Sequence, residues 1–284
     1  MNCLNRPMPY GWDLNVYRGC SHGCAYCFAQ YTHGYLGRED FFSGILVKTN
    51  IAEQLERRLH SPSWKREVVN LGGISDSYQS AEAHYRLMPD VLRLLIRYRT
   101  PAIILTKSDL LLRDYDLIAE LSRLTYVNVA ATVTTMDEAV RRKLEPGAPD
   151  SARRVAMLRE FRKTEASVGL HAMPIIPGLT DERQNLEALF TAARDAGVHY
   201  LLPGTLYLRG RTRPAFFDFL SREFSALHDP LKTLYRSGSA GKEYKYTLSA
   251  TIDALRLRYG VSGNYSAIMR EKLGRAADTQ LSLF

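Results

Sequence analysis

Short β-branched or apolar runs alternate with helix-period segments over most of this chain, and that alternation restricts the fold more than any other feature. Strands are expected at residues 14–17, 68–71, 102–106, 127–132, 167–175 and 200–206. Between them, apolar residues recur at helical spacing over 51–59, 85–97, 110–124, 152–165 and 182–196. Several strands run into turn chemistry before the next helix, as in Thr106-Lys107-Ser108-Asp109 and Pro177-Gly178-Leu179-Thr180-Asp181. Repeated strand–helix units imply a parallel sheet with right-handed crossovers. Six units are too few for a closed eight-fold barrel, so the expected class is α/β, a partial (β/α)6 barrel with ligands at the carboxyl ends of its strands. Composition shifts near residue 208. Residues 1–208 are expected to form the barrel with an N-terminal segment, 209–279 a C-terminal extension packed on it, and 280–284 a terminal peptide.

The formal charge of the 284 residues is +8 and the sequence pI about 9.3. Such a balance suits a polyanionic partner, nucleic acid above all, and equally suits a scattered, Arg-rich surface. The opening MNCLNRPMPYGWDLN lacks the basic start and apolar core of a signal peptide, and no apolar run approaches the roughly 18 residues of a membrane-spanning helix. A cytoplasmic protein with no membrane partner is the expectation. Cysteines stay reduced there, so a tight group of them indicates metal or redox chemistry rather than disulfides.

Such a group exists. Three of the four cysteines, Cys20, Cys24 and Cys27, fall in YRGCSHGCAYCF with the spacing C-x3-C-x2-C, directly after the first expected strand. Gly19 and Gly23 give a metal-wrapping loop its backbone freedom. Thiolates suit zinc or iron–sulfur clusters. Structural zinc wants four closed ligands, usually as two separate pairs. Here the fourth would be Cys3, His22 or His33, none at a characteristic spacing. A [4Fe–4S] cluster held by three cysteines leaves one iron open to a substrate or cofactor.

With an aromatic residue, Phe28, after the last cysteine, this loop resembles that of the radical S-adenosylmethionine (SAM) enzymes. The resemblance covers roughly residues 14–208 and implies a [4Fe–4S] cluster, SAM, and a reducing partner such as flavodoxin or ferredoxin. It implies that Gly72 and Gly73 of NLGGISDSY face the methionine amino group, with Ser75 and Asp76 beside them. Lys107 and Ser108 of ILTKSD would meet the methionine carboxylate, Thr134 of TVTT the ribose, and Pro177 of MPIIPGLTDE the adenine. Each segment alone also reads plainly: a glycine turn, a surface lysine, strand-forming threonines, and a Pro-Gly turn before the helix cap Asp181.

Within that superfamily YRGCSHGCAYCFAQYTHGYLG, DFFSGILVKTN and GGISDSYQSAE resemble spore photoproduct lyase and its relatives, which act on DNA. Those lyases place a hydrogen-donor cysteine just before the Ser-Asp pair. Here Ile74 stands there, and the only cysteine outside the loop is Cys3. Dimer reversal with a thiol donor is therefore not supported, and Tyr78, Tyr26 and Tyr31 are the alternative donors, against the plainer reading that they pack.

The chain ends Gln280, Leu281, Ser282, Leu283, Phe284, which resembles the peptide that docks bacterial repair factors on the DNA sliding clamp. The plainer alternative is that Leu283 and Phe284 pack on the domain. Arg209, Arg211, Arg213, Arg236, Lys242 and Lys245, interleaved with Tyr244 and Tyr246, suit phosphates and bases, or else form a solvated loop with core tyrosines. VRRK, residues 140–143, reads as a solvated helix face. Three functions follow: a radical enzyme on damaged DNA; a radical enzyme on RNA, a peptide or a small molecule; and a metal-stapled, non-catalytic DNA-binding adaptor.

Overall fold

The computed structural model describes residues 3–5 and 11–274, so the terminal peptide 280–284 lies outside the described residues. The chain enters through β1 (Leu4–Asn5), antiparallel to β2 (Trp12–Leu14). It then leaves the sheet for a two-stranded antiparallel ladder, β3 (Tyr17–Arg18) with β4 (Leu46–Val47), and the cysteine segment is slung between those two strands. Five strands return it to the sheet: β5 (Val69–Leu71), β6 (Ala102–Thr106), β7 (Val127–Thr132), β8 (Ser167–Ile175) and β9 (Tyr200–Thr205). The sheet runs β1-β2-β5-β6-β7-β8-β9, and every pair from β2 onward is parallel. Six parallel strands in sequence order make the partial barrel that the strand–helix alternation implied.

Within the cysteine segment lies α1 (Tyr31–Gly34), and α2 (Ile51–His60) crosses to β5. Between β5 and β6 lie α3 (Ser80–Tyr85) and α4 (Met88–Arg97), and α5 (Tyr115–Leu124) leads to β7. Then come α6 (Glu138–Leu144), α7 (Ser151–Phe161) and α8 (Arg183–Asp195). The chain finishes with α9 (Thr212–Glu223), α10 (Ser225–Leu234), α11 (Lys242–Tyr259) and α12 (Ala267–Leu273).

Strand alternation sorts the side chains. Ile104, Val129, Val168 and Leu170 point outward into a core shared with Leu55 of α2, Leu95 of α4, Leu121 of α5, Leu158 of α7 and Leu189 of α8. Burying each such aliphatic chain contributes about 1.5–3 kcal/mol. The intervening residues, among them Asn128, Gly169, His171 and Tyr200, take the opposite face, the inside of the barrel. There the Tyr200 ring lies across β8: a Cβ on Gly169 would come within 2.0 Å of its Cζ. Leu248, Ile252 and Leu255 of α11 join the outer core. A second core sets Phe216, Phe217 and Leu220 of α9 and Leu231 of α10 against Cys24, Tyr26 and Leu144.

Three local expectations change. The first strand is Trp12–Leu14 rather than 14–17, because Tyr17 turns into the core to donate its hydroxyl to the buried Glu82 carboxylate (2.5 Å). The helix expected over 85–97 breaks at Arg86, whose φ of 49° ends α3; Glu82 then accepts the Leu87 and Met88 amides (both 3.0 Å) at the start of α4. The VRRK segment is indeed helical, in α6, but Arg141 is buried and donates to the Glu145 and Ala148 carbonyls (2.9 and 2.7 Å).

Candidate iron–sulfur and cofactor site

The cysteine loop is clamped from two sides. On one side, the segment after β5 grips it: Ser75 Oγ and Gln79 Nε2 both donate to the Gly19 carbonyl (2.7 and 3.0 Å). The Ser21 amide donates to Gln79 Oε1 (2.9 Å), and His22 Nε2 lies 2.9 Å from Asp76 Oδ2. Gly19 itself sits at φ 85°, and a Cβ there would lie 2.7 Å from the Phe41 carbonyl, so only glycine fits. On the other side, the turn after α6 backs the loop: the Ala25 amide donates to the Leu144 carbonyl and the Gly147 amide to His22 (both 2.9 Å). The Tyr26 phenol donates to Glu145. That carboxylate also takes Thr134 Oγ1 (3.3 Å) and Arg154 Nη1 (2.5 Å), and both charged groups are wholly buried.

Asp76 is the junction of the first clamp. It accepts from Thr106 Oγ1 (2.8 Å), the Lys107 amide (2.7 Å) and the Tyr78 amide (2.8 Å), besides His22. Burial alone would raise its pKa, but the His22 charge and these hydrogen bonds hold its carboxyl down at about 2.

Cys20 and Cys24 are buried and Cys27 is partly open. Burial pushes all three thiols up, Cys20 to about 12, and their mutual charge adds to the effect at Cys20 and Cys24. Buried thiols of this kind keep their protons until a cation binds and offsets the charge, so ionisation and metal binding are coupled. Among the described residues no group of three or more His, Cys, Asp or Glu side chains converges on a single-ion position. Three free thiols on one loop, the last of them partly open, are the donor set of a cluster that keeps one iron free.

Facing the loop is Lys107, just past β6. Its Nζ lies 5.6 Å from the Tyr26 ring centroid, and among the described residues no carboxylate pairs with it. Burial pulls its pKa down, but the neighbouring Cys24 and Glu145 outweigh that and leave it raised. Gly72, just past β5, has φ 98°, and a Cβ on Gly73 would meet Asp13 Oδ2 at 2.5 Å. Ser108 Oγ is occupied with the Leu110 amide (3.2 Å), Thr134 with Glu145, and Pro177 is buried. Phe28 is 58% exposed.

The three tyrosines differ. Tyr78 is wholly buried in the outer core and donates to Asp114 (3.1 Å), Tyr26 is committed to Glu145, and Tyr31 is exposed. The basic residues separate likewise. Arg213 is tied to the Tyr235 carbonyl, and Tyr244 is half-buried with its phenol on Asp181 (2.9 Å). Arg209 lies over Tyr207, Arg211 has only a loose 3.5 Å contact with Glu39, and Arg236, Lys242 and Tyr246 are exposed, with Lys245 partly so. The sequence reading missed Glu145 and Arg154. Nothing local marks them, because their meaning lies in contacts across 119 and 22 positions, to Tyr26 and to the Thr132 carbonyl (2.9 Å).

An open sheet of six parallel strands with a three-thiol loop at its carboxyl end defines a class, and residues 14–190 match the family model described as the radical SAM superfamily. The chain belongs to that superfamily; it is a radical SAM enzyme whose cofactors are a [4Fe–4S] cluster and SAM. It is 36% identical to an uncharacterized protein of Mycobacterium tuberculosis (strain H37Rv) over 281 residues, covering 98% of this chain and 83% of the relative. With an uncharacterized protein of Methanocaldococcus jannaschii it shares 27% over 168 residues, 59% of this chain and 61% of that one. Among solved structures, a point mutant of spore photoproduct lyase superposes with a TM-score of 0.68 at 14% identity, covering 91% of this chain and 77% of the other. Spore photoproduct lyase complexed with dinucleoside spore photoproduct gives 0.66, again at 14% identity and over the same shares. At that identity the likeness is one of fold. Membership in a family of enzymes sets aside the non-catalytic adaptor.

Proposed function

We propose that this radical SAM enzyme acts on damaged bases in DNA, by chemistry related to that of spore photoproduct lyase but without its thiol donor. With both bound, the reduced cluster would give one electron to SAM, releasing methionine, and the 5′-deoxyadenosyl group so freed would take a hydrogen atom from the substrate. In this reading Cys20, Cys24 and Cys27 hold three irons, Lys107 takes the methionine carboxylate, and the strand-end backbone at Gly72 and Gly73 takes the amino group. Ser75 and Asp76 serve by fixing the loop and the Lys107 strand end rather than by touching the cofactor.

The observation that carries the proposal is the coincidence, at one barrel mouth, of the three-thiol loop and unpaired Lys107, on a fold that superposes on spore photoproduct lyase complexed with dinucleoside spore photoproduct. The absent donor supports the departure. Ile74, just before Ser75-Asp76, gives its amide to Asn15 Oδ1 (2.9 Å) and packs its side chain by Cys20 and Phe41. The thiols beside it, Cys20 and Cys27, belong to the cysteine loop, and in this reading they hold iron and return no hydrogen. Among the described residues no helix is long and apolar enough to cross a membrane; the proposal places the enzyme in the cytoplasm. Recruitment by the sliding clamp through residues 280–284, and reduction by a flavodoxin or ferredoxin, complete the proposal.

The deciding experiment incubates irradiated DNA with the anaerobically reconstituted, reduced protein and SAM, and searches for altered bases by mass spectrometry. The proposal expects a new or missing base with wild type and none with Cys27→Ala. SAM cleavage without any change in DNA would refute the substrate assignment while leaving the enzyme class intact, and would favour RNA, a peptide or a small molecule.

A further inference from the structure

Exposed apolar side chains stand on two segments that adjoin at the mouth of the barrel. Tyr31, Tyr35 and Leu36 follow the last cysteine, and Tyr207 follows β9; Tyr35 is 80% exposed and Tyr207 47%. The two groups belong to one rim. Thr212 Oγ1, at the start of α9, donates to the Cys27 carbonyl (3.2 Å), and the Arg211 guanidinium lies 3.8 Å from where a Cβ would sit on Gly34. Tyr31 buttresses Tyr35 edge-on, with centroids 5.8 Å apart and planes at 89°, and the Arg209 guanidinium lies 4.8 Å from the Tyr207 centroid. Among the described residues neither the Tyr35 nor the Tyr207 phenol has a hydrogen-bond partner. Rings this exposed contribute little to the fold, and their gathering calls for an occupant.

Arginines between aromatic faces on a chain of charge +8 suit a polyanion that carries flat rings. In an intact duplex the bases already stack on one another, and only phosphates and groove edges are offered. A paired base also cannot reach chemistry set between a loop and strand ends. Resting on the DNA reading above, we infer that this rim receives single-stranded or locally opened DNA, with unpaired bases stacked on Tyr35 and Tyr207 and phosphates paired with Arg209 and Arg211.

The test is fluorescence anisotropy of the full-length reconstituted protein with a short labelled oligonucleotide, as a single strand and as its own duplex. The single strand should bind more tightly. Tyr35→Ala and Tyr207→Ala should each weaken it about tenfold and leave duplex binding unchanged, while Tyr35→Trp retains it. Arg209→Ala should flatten the salt dependence by about 0.7 in log–log slope. Iron content and melting temperature, unchanged in each variant, separate lost stacking from lost fold. Insensitivity to both tyrosine substitutions, or equal losses on both DNA forms, overturns the inference and leaves the DNA reading standing. Tighter binding of the same sequence as RNA, or no binding of either DNA form, overturns both.

Discussion

Replacing Arg154 with methionine tests how the cysteine loop is held. The guanidinium is wholly buried and bonds Glu145 Oε2 at 2.5 Å, the Thr132 carbonyl at 2.9 Å and the Pro149 carbonyl at 2.6 and 2.9 Å. Burial alone would push the Glu145 carboxyl up; the charges of Arg154 and Lys107 and the Tyr26 hydrogen bond bring it below its ordinary value. Arg154→Met therefore strands an anion with two hydroxyl donors and a more distant ammonium. Breaking a buried pair in this way costs about 3–5 kcal/mol, against a total stability of about 5–15 kcal/mol. For a chain of this size that lowers Tm by about 10 °C. Because Tyr26 lies between Cys24 and Cys27, the same change should hasten iron loss to a chelator. The double variant Glu145→Gln/Arg154→Met removes the stranded carboxylate and should be more stable than Arg154→Met alone. Urea unfolding of wild type, both single variants and the double variant gives the cycle. A loss below about 1 kcal/mol for Arg154→Met, or a double variant whose losses simply add, would refute the reasoning.

Gly169→Ala drives a methyl group into the Tyr200 ring and should destabilise by about 1–3 kcal/mol, read as a lower urea midpoint with unchanged slope; a neutral result would mean the ring shifts freely. Lys107→Gln should raise KM for SAM about tenfold or more, with a smaller change in kcat, measured by 5′-deoxyadenosine release. An unchanged KM would remove Lys107 from the carboxylate site. His171, with Nε2 3.1 Å from the Tyr200 phenol, is held down to about 4 by burial and then by the Lys107 charge. Its ordinary value is 6.5, so below that pH the unfolded chain takes up a proton that the native chain refuses. Stability from this source is complete above about pH 6.5 and declines toward pH 4 by up to about 3 kcal/mol. His171→Gln should flatten that part of the urea-midpoint profile, and an unchanged profile would place the acid sensitivity elsewhere.

The strands β6, β7 and β8 were legible to the residue, because five- to nine-residue β-branched runs bounded by turn chemistry admit little else. The entry was not. WDLNVYR offers several registers, and what chooses among them is the bond of Tyr17 to Glu82, 65 positions away. The break at Arg86 is hidden for the same reason, since Glu82 caps a helix whose pattern looks continuous. In the site, the three cysteines announced themselves through spacing. The segment of Ser75 and Asp76 was legible as important but not in its manner of action: its partners Gly19 and His22 lie 56 and 54 positions back. Tyr244 was ambiguous between stacking and packing until its phenol was found on Asp181.

Asp76 joins two pieces of the protein that the chain makes separately. The ring of His22 hangs from one side of its carboxylate, and Thr106 and the backbone of Lys107 from the other. The cysteine loop and the strand end opposite are thus cross-linked through one carboxylate rather than left to open and close against each other. Electron transfer and radical capture both depend steeply on separation. A linkage that keeps this internal gap constant lets the rim adapt to a substrate without detuning the chemistry beneath.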